Sequence, residues 1–537
     1  MSEAVAQTSA WTPLRVTVFR ALFIAALVSN IGTWMHEVGA AWLMTSLTTS
    51  PLLVALLGTA SNLPLFLFAL PAGAVGDLVD KRKYLLFTQT WMTIVAAVLG
   101  AVTLVGSMTP WLLLSLTCAL GMGVAMNQPV WQAIVPEIVP REELAKAITL
   151  SGVALNVARA VGPAAAGFIL AATSPGIVFL LNAASFVAVM VVLHRWERVA
   201  PESALPAEHA ASAVRAGLRY VRHAPDFRAV LVRTVFFVLS ASAVWALMPL
   251  VARQSLGLDS LGYGFLVGAL GTGAVLMATA LPRVRARLSV DQLVWISTAA
   301  FAGVAFTLAF VRVAGLVYLA MAIGGAAWIS TMSSFNVASQ MTSASWVRSR
   351  ALAAYAIAFQ GGLALGSFLW GSIASRYSIS TALAIAGAGL LAGLAASHAF
   401  PLSGREDRDL SPSLHWPQPL LVPEARPADG PVLVVIEYFV APENAERFLE
   451  AVHDLERVRR RDGGMEWDVY QDAADHTRYV ETFLAESWME HLRQHERVTV
   501  ADRELEKRVR SFCIEGRRGR VLHLLHVRRP ARKPVKI

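Results

Sequence analysis

Charged side chains are scarce over most of this chain. Only 15% of its 537 residues are charged, whereas 55% are apolar, and the mean hydropathy is +0.53. Charged residues become frequent from Pro431 onward. The 430 residues before Pro431 include 44 charged ones, whereas the 107 residues from Pro431 to the end include 39. This composition excludes a wholly soluble enzyme, a disordered protein and an outer-membrane barrel. It predicts a membrane body followed by a soluble tail.

Several short signals are missing as well. The two cysteines, Cys118 and Cys513, lie far apart in the sequence, so neither a disulfide nor a cysteine metal site is expected. The pattern G-x-x-x-x-G-K-[ST] does not occur, which argues against a nucleotide-driven pump within this chain. The first apolar run, 19–47, is longer than the ~7–15 residues of a signal-peptide core, so we expect an uncleaved first span.

Long apolar runs are abundant instead. A helix needs ~20 apolar residues to cross the ~30 Å hydrocarbon core of a bilayer. The longest polar segment between such runs is 195–227, which is expected to be a cytoplasmic loop joining two six-helix halves, 1–194 and 228–400. Paired halves of this kind are typical of secondary transporters. The sequence therefore predicts an all-α polytopic membrane protein with twelve transmembrane helices, at 19–47, 51–76, 84–107, 110–135, 146–173, 175–194, 228–252, 260–282, 290–311, 314–340, 350–374 and 378–400.

Basic residues are concentrated in alternate connections between these runs. One set includes Lys81–Lys83 and the segment 195–228, whereas the opposite set has only Arg253, Arg312 and Arg376. The positive-inside rule places the first set in the cytoplasm, with both termini and the tail, for a multi-pass protein of the cytoplasmic (inner) membrane. Part of the long loop is predicted to form a basic amphipathic helix on the inner leaflet. The net charge of +9 thus suits a lipid bilayer rather than nucleic acid.

The connection after the second run reads GAVGDLVDKRK and resembles the signature loop of the major facilitator superfamily. The matching residues are Gly73, Asp77, Lys81 and Arg82, whereas Leu78 stands where a basic residue is usual. The resemblance implies a conformational latch, in which Asp77 pairs with a neighbouring cation or caps the helix that follows. A loop whose basic residues only fix the topology is the alternative.

The fifth run carries a second pattern of that superfamily. Arg159, Gly162, Pro163 and Gly167 resemble its exporter motif, with alanine in two of the glycine positions. The resemblance implies export rather than import. Small residues also let two helices approach closely, so tight helix packing without any bearing on direction is the alternative.

Two longer strings narrow the resemblance to one branch of the superfamily. Residues 127–144 and 217–223 are similar to the transmembrane secretion effectors, which include the enterobactin exporter and drug-efflux proteins. The similarity extends over essentially the whole membrane body. It implies a small-molecule substrate such as a siderophore, a drug or a secondary metabolite.

Ionisable residues inside the spans are candidates for transport chemistry, because a charge at mid-membrane costs at least ~2.5–3.5 kcal/mol. Glu37, beside His36, lies in a long apolar run, and we predict that these two residues carry the coupled proton. A carboxyl group shielded from water is protonated more readily, which suits that role. Alternatively, Glu37 reaches the outer surface or only makes a hydrogen bond. Arg159 binds an anionic substrate, pairs with Glu37 or lies in water near the cytoplasmic end.

Other polar and aromatic residues of the spans are predicted to line a substrate cavity. Each of them alone more often makes a hydrogen bond between helices than a ligand contact. Together they indicate a large amphipathic substrate without identifying it. The set comprises Asn30, Trp34, Asn62, Asn127, Gln128, Trp131, Asn336, Gln340 and Gln360.

The tail has its own organisation. A proline-rich linker, 401–430, precedes it, and a basic segment, 529–537, follows it. Between them, 431–528 alternates strand-like and helical stretches in the order β-α-β-β-α-β, with one helix expected over 487–512. That order predicts a cytoplasmic α+β domain of the ferredoxin-like type.

The tail also resembles the antibiotic-biosynthesis monooxygenase superfamily, through residues 481–483 and 487–495. Members of that superfamily are dimers, and some bind haem or polyketides. His491 and His495 share one helix face, but His523 and His526 lie on opposite faces of a strand. Without a recognisable ligand or catalytic motif, we expect neither a metal nor a cofactor here.

The sequence therefore predicts a proton-coupled antiporter that exports a small amphipathic molecule by alternating access, and not an enzyme. Apolar residues on both faces of the predicted strands indicate a homodimer through the tail. A membrane-anchored enzyme and a ligand sensor, each acting through the tail, are the alternatives.

Overall fold

The computed structural model describes residues 11–196, 210–402, 409–413, 415–416, 430–517 and 519–526, without the side chains at 69–70, 73–78, 141, 145, 210–214, 216 and 396. Most of the expected linker and all of the basic segment 529–537 lie outside the described residues. The described part forms two compact units. The first comprises 1–206, 231–336 and 355–401, and the second comprises 207–230, 337–354 and 402–537.

Among the described residues, twelve helices are long and apolar enough to cross a membrane, which confirms the predicted number of spans. Their ends differ from the predicted ones by a few residues. The first six are α1 Thr17–Leu47, α2 Pro51–Leu78, α3 Lys81–Leu104, α4 Pro110–Ile138, α5 Leu144–Ala172 and α6 Pro175–Arg195. After a shorter helix, α7 Ala210–His223, come α8 Pro225–Leu250, α9 Ser260–Arg285, α10 Val290–Phe310, α11 Ala314–Met341, α12 Arg348–Arg376 and α13 Ile379–Ala396.

Local sequence explains where several of these helices begin. Proline stands at the first position of α4 and α6, where its missing N–H costs nothing. The side chains of Asp80, Thr109 and Asp259 accept hydrogen bonds from the first turns of α3, α4 and α9. Helix α10 begins with a capping box, in which the side chains of Ser289 and Gln292 bond each other's backbone N–H.

The second unit contains a four-stranded antiparallel sheet with the order β2-β3-β1-β4. Its elements are β1 Val432–Phe439, α14 Ala445–Asp462, β2 Met465–Gln471, β3 Arg478–Ala485, α15 Trp488–Arg497, α16 Val500–Arg510 and β4 Val521–Leu525. A small sheet with helices therefore follows the twelve spans, as the predicted fold class requires. Phe448, Leu455 and Phe483 are among the fully buried side chains of its core.

The helix predicted over 487–512 is divided in two. Helix α15 ends at Arg497, and Val498 has an extended backbone. Thr499 then begins α16 with a capping box, because its hydroxyl and Asp502 bond each other's backbone N–H at 3.3 and 2.8 Å. The sequence signal was present, since threonine followed three residues later by an acid is a helix start.

Helix α7 is the predicted amphipathic helix, and it packs against α14 within the second unit. Tyr220 is buried, donates a hydrogen bond to the Thr342 carbonyl at 2.7 Å and accepts one from the Ala344 N–H at 3.2 Å. Arg219 pairs with Glu490 of α15. One face of the helix, expected on a lipid surface, is therefore occupied by protein.

Candidate functional site

A cavity of about 300 Å³ lies in the first unit. Both six-helix halves contribute to its wall, through α1, α2, α4 and α5 from one and α8, α9, α11 and α12 from the other. Six of the predicted residues line it, namely Trp34, His36, Glu37, Asn62, Arg159 and Gln360. The fold thus brings the predicted proton-carrying residues and part of the predicted substrate cavity to one place.

Helix α1 supplies the acid and its neighbour. Glu37 is solvent-accessible and faces the cavity, whereas His36 is buried beside Phe179, with ring centroids 4.6 Å apart. Neither ring nitrogen of His36 has a hydrogen-bond partner among the described residues. A buried polar ring without partners is costly, and His36 is nevertheless held in the cavity wall.

Helix α5 supplies the opposite charge. The guanidinium carbon of Arg159 lies 5.2 Å from the ring centroid of Trp34, a cation–π geometry. Its Nε is buried without a partner among the described residues. Arg159 and Glu37 interact electrostatically, and in the described part of the chain they make no direct ion pair. Both charges thus remain available to a ligand.

Aromatic side chains complete the wall. Trp245, Tyr263, Trp328 and Phe359 line the cavity, and Trp245 Nε1 is a buried donor without a partner in the described structure. Sequence reasoning missed these four residues, because each lies in an apolar run that gives no sign of which face is turned inward. Large aromatic surfaces with a few polar groups are typical of sites for organic ligands.

The other predicted cavity residues lie elsewhere. Asn127 Oδ1 accepts hydrogen bonds from Thr88 Oγ1 at 3.0 Å and Gln89 Nε2 at 3.3 Å, so it ties α4 to α3. Trp131 packs against an apolar cluster that includes Leu85 and Ile134. None of the remaining four lines the cavity, namely Asn30, Gln128, Asn336 and Gln340.

The predicted latch is described in part. Lys81 pairs with Glu137 of α4 at 2.8 Å, and Arg82 donates to the carbonyls of Leu193, at 2.9 Å, and His194 at the end of α6. A cation at a helix C-terminus is favourable, because the last carbonyls carry partial negative charge. These bonds hold the start of α3 to α4 and α6 of the same half.

Only the helical backbone is described at Gly73, and the side chain of Asp77 lies outside the described structure. The backbone places Asp77 in the last turn of α2, which ends at Leu78. The acid that caps α3 is Asp80, whose Oδ1 accepts from the Lys83 N–H at 2.9 Å. Asp80 stands where the superfamily has glycine, and its capping role explains why an acid is tolerated there.

The exporter pattern lies where α5 meets α1 and α9. A methyl group on Gly167 would come within 2.9 Å of the Gly264 Cα, and one on Gly162 within 2.6 Å of the Trp34 Cβ. Only glycine permits these approaches. Pro163 lies inside the helix between them. The pattern therefore packs α5 closely against helices of both halves.

The second unit contains a buried ionic network around Arg459. Arg459 donates to Glu481 Oε1 at 2.9 Å and to Glu506 Oε1 at 2.8 Å. Burial alone opposes the ionisation of Glu506. Arg459 and neighbouring donors outweigh that effect and hold the pKa of Glu506 below its ordinary value. Further donors satisfy both acids, namely Trp467 and Tyr438 for Glu481, and His415 and Trp416 for Glu506. A network paired in this way is structural rather than reactive.

Three histidines of the second unit converge. His491 and His495 lie on α15, and β4 brings His523 against them, so that one nitrogen of each falls within 4.8 Å of the others. Burial, aided by the neighbouring histidines, lowers the pKa of His491 to about 3 and that of His495 to about 4. The sequence placed the first two on one helix face and His523 on a strand, but it did not bring them together, since only sheet pairing places His523 beside the others.

A cavity of about 600 Å³ also lies in the second unit. Tyr220 and His223 of α7 line it together with Thr342 and with residues of α14 and α16. Its charged lining residues include Asp454, Arg457, Arg461 and Asp502. The inter-half helix is thus part of a site that is large enough for a small ligand.

Comparisons with known proteins agree with this architecture. A sequence model of the transmembrane secretion effector family matches residues 8–531. The staphyloferrin A transporter of Staphylococcus aureus (strain NCTC 8325 / PS 47) is 22% identical over 286 residues, 52% of this chain and 70% of that protein. An uncharacterized MFS-type transporter of Bacillus subtilis (strain 168), YfiS, is 24% identical over 318 residues, 58% of this chain and 70% of that protein.

Solved structures share the fold of the membrane body. A POT family transporter in complex with a thioalcohol-conjugated peptide matches with a TM-score of 0.60 and 10% identity, over 73% of this chain and 96% of that one. The nucleoside transporter NupG matches with a TM-score of 0.53 and 13% identity, over 71% of this chain and 98% of that one.

Proposed function

The chain belongs to the transmembrane secretion effector family and is a multi-pass membrane transporter of the major facilitator type, and we propose that it exports a small amphipathic molecule from the cytoplasm in exchange for protons. The observation that carries this proposal is the cavity that Glu37 and Arg159 line together. Substrate passes through this cavity by alternating access of the two halves.

The chemistry of the wall supports an amphipathic substrate. Trp34, Trp245 and Trp328 offer apolar surface, while Glu37 and Arg159 offer opposite charges within one site. The similarity to a staphyloferrin A transporter favours a siderophore-like molecule with carboxylate groups among the substrate classes. A carboxylate would pair with the planar guanidinium of Arg159 through two parallel hydrogen bonds.

Glu37 supports coupling to protons. It is accessible from the cavity, so it exchanges protons with water there, and Arg159 is close enough to sense its charge. Protonation of Glu37 removes the negative charge that Arg159 otherwise interacts with. A positively charged group of the substrate and a proton would compete for the Glu37 carboxylate, which is the minimal requirement of an antiporter.

Export, rather than import, is supported by the pattern in α5. Gly162, Pro163 and Gly167 pack that helix against both halves, so a change in their packing affects how the halves separate.

The basic residues in alternate connections between the spans support an inner-membrane protein with both termini and the second unit in the cytoplasm.

Counterflow in proteoliposomes tests this function. Purified protein is reconstituted with a citrate-based siderophore, a catecholate siderophore or a cationic drug inside, and uptake of labelled compound is followed with and without a pH gradient. Accumulation of one class, enhanced by a gradient that is acidic on the receiving side, is expected. If the uptake of labelled compound were the same with and without a pH gradient, proton coupling would be contradicted, whereas the transport function would still be supported.

A ligand sensor in the second unit is the second candidate function. The cavity of about 600 Å³ favours it, because α7 from the connection between the halves shares that cavity with the tail domain. A membrane-anchored enzyme has less support, since the ionic network around Arg459 is fully paired. Both alternatives predict saturable binding of a compound that the membrane body does not transport, and only the enzyme predicts turnover.

Dimerisation through the tail remains part of the proposal. The sheet face away from the buried core carries Leu522 and Leu524, which are 41% and 52% exposed, beside their partners Val435 and Leu433. An exposed apolar face of this kind is a protein–protein contact site. Two-fold pairing is the commonest closed arrangement, and ~800 Å² per protomer would suffice.

A further inference from the structure

We propose that His491, His495 and His523 form a site for a divalent transition-metal ion of the Zn²⁺ class. The three residues come from two elements, α15 and the edge strand β4. Their ring centroids are 5.0 Å apart for His491 and His495 and 4.6 Å for His491 and His523. Three imidazoles facing one point are a common ligand set for such ions.

The separation of two ligand atoms fits the size of the ion. His491 Nε2 and His495 Nε2 are 3.3 Å apart. Two nitrogens bound at ~2.0–2.1 Å to a tetrahedral Zn²⁺ lie about 3.3 Å from each other. The pair therefore already stands at the spacing of two corners of a coordination tetrahedron. One nitrogen of each of the three rings lies within 4.8 Å of the other two, so His523 stands within reach of the third corner.

The backbone explains why His523 points toward α15. His523 pairs with Val434 of β1, and Val434 in turn pairs with Phe483 of β3. Val434 and Phe483 are buried in the core beneath the helices. Because side chains directly opposite each other in a sheet share one face, His523 is turned to the same side as α15.

Surrounding groups orient the ligands. His491 is 1% exposed, and its Nδ1 lies 3.1 Å from Gln494 Oε1. If Nδ1–H donates to that oxygen, Nε2 keeps its lone pair for a metal, the arrangement by which outer partners fix a histidine ligand. Trp488 packs on His523 at 5.9 Å and Trp416 on His495 at 4.9 Å, which limits their motion.

The short distance between His491 and His495 also fits a simple hydrogen bond between their two imidazole rings. That bond uses one nitrogen of His491 and one of His495. It also gives His523 no role. A metal ion uses all three rings and leaves a fourth position open to water or a ligand.

Metal binding to the full-length protein tests the site. Protein without a polyhistidine tag is stripped with a chelator and titrated with Zn²⁺ by calorimetry, and with Co²⁺ while its visible d–d absorption is recorded. One ion per chain and an intense Co²⁺ band, as four- or five-coordinate sites give, are expected. Absence of stoichiometric binding would overturn the proposal.

Two variants separate this site from adventitious binding. His523→Gln should abolish the Co²⁺ band, and Gln494→Ala should weaken affinity ~10–100-fold, the usual effect of losing an outer partner. His476→Gln is the control, since His476 is exposed and lies outside the cluster. Equal binding by wild type and His523→Gln would overturn the proposal. A cooperative melting transition of His523→Gln without metal shows that this variant remains folded, and Zn²⁺ should raise the melting temperature of the wild type and the control but not of His523→Gln.

Discussion

Arg219 donates a hydrogen bond to Glu490 Oε1 over 2.8 Å, although 271 residues separate them in the chain. Arg219 lies on α7, in the connection between the two halves, and Glu490 lies on α15 of the tail domain. Glu490 also accepts from Arg497 at 2.7 Å, and the Arg497 guanidinium lies 4.6 Å from the ring centroid of Trp346. One carboxylate therefore joins three segments of the second unit.

Removing the Glu490 charge should destabilise this unit. Glu490→Gln weakens two charge-assisted hydrogen bonds, and we expect the free energy of unfolding to fall by about 1–3 kcal/mol. Thermal melting of the full-length protein, followed by intrinsic fluorescence, measures the change. Glu450→Gln is the control, because it replaces another acid of the tail domain that forms no hydrogen bond to this group. Equal melting of both variants would contradict the role of Glu490.

The same residue predicts a pH dependence. Although burial opposes its ionisation, Arg497 and Arg219 hold the pKa of Glu490 below its ordinary value. A depressed folded-state pKa contributes stability above the unfolded pKa of ~4.3, and that stability is lost as the pH falls through the folded value. The difference in melting temperature between wild type and Glu490→Gln should therefore be largest near pH 7 and shrink below pH 4. A difference that grows on acidification would refute this assignment.

Glu37 is predicted to couple the proton. Glu37→Gln keeps the size of the side chain but cannot ionise, so efflux driven by a pH gradient should stop while counterflow without a gradient continues. Transport assays in proteoliposomes measure both. Glu142→Gln, which changes an exposed acid remote from the cavity, should behave as wild type. If Glu37→Gln carried out gradient-driven efflux at the wild-type rate, Glu37 would not be the residue that couples the proton.

Arg159 is predicted to bind the charged part of the substrate. Arg159→Lys retains the charge but loses the planar fork and its packing over Trp34, so the apparent affinity should fall ~10-fold or more. Arg159→Ala should lose transport of anionic compounds and keep that of cationic ones. Competition binding in detergent measures both. Unchanged affinity of Arg159→Lys would assign Arg159 a purely structural role.

Asp77 is predicted to take part in the latch. Asp77→Asn should slow the transport cycle and shift the protein toward the inward-open state. Labelling from the cytoplasmic side of a single introduced cysteine, in a background without Cys118 and Cys513, reports that state. Asp80→Asn is the matched control, because it should affect the start of α3 without shifting labelling. Unchanged labelling and rate for Asp77→Asn would indicate a loop that only fixes topology.

The exposed face of the sheet is predicted to hold two copies together. Leu524→Glu places a charge in that face, so a dimer of the full-length protein should dissociate to monomers. Light scattering in detergent or native mass spectrometry gives the mass. Arg493→Glu changes a charge on α15 instead and should leave the mass unaltered. A wild-type monomer at high micromolar concentration would contradict the dimer.

The sequence by itself determined the membrane body and the order of elements in the tail. Hydropathy and strand or helix periodicity are local properties, so twelve spans, two halves and a small α+β domain followed from residues close together in the chain. A break such as the one at Val498, between α15 and α16, was also encoded locally, in Thr499 and Asp502. Glu37 was identifiable because an acid is rare in an apolar run.

Only the tertiary structure decided which residues meet. Helices α4 and α8 are largely apolar on every side, so the sequence did not distinguish Trp245, which lines the cavity, from Trp131, which packs in an apolar cluster. His523 joined His491 because β4 pairs with β1, a contact between segments far apart in the chain. Such contacts depend on how whole elements pack, and packing is the sum of many weak interactions that no short sequence pattern contains.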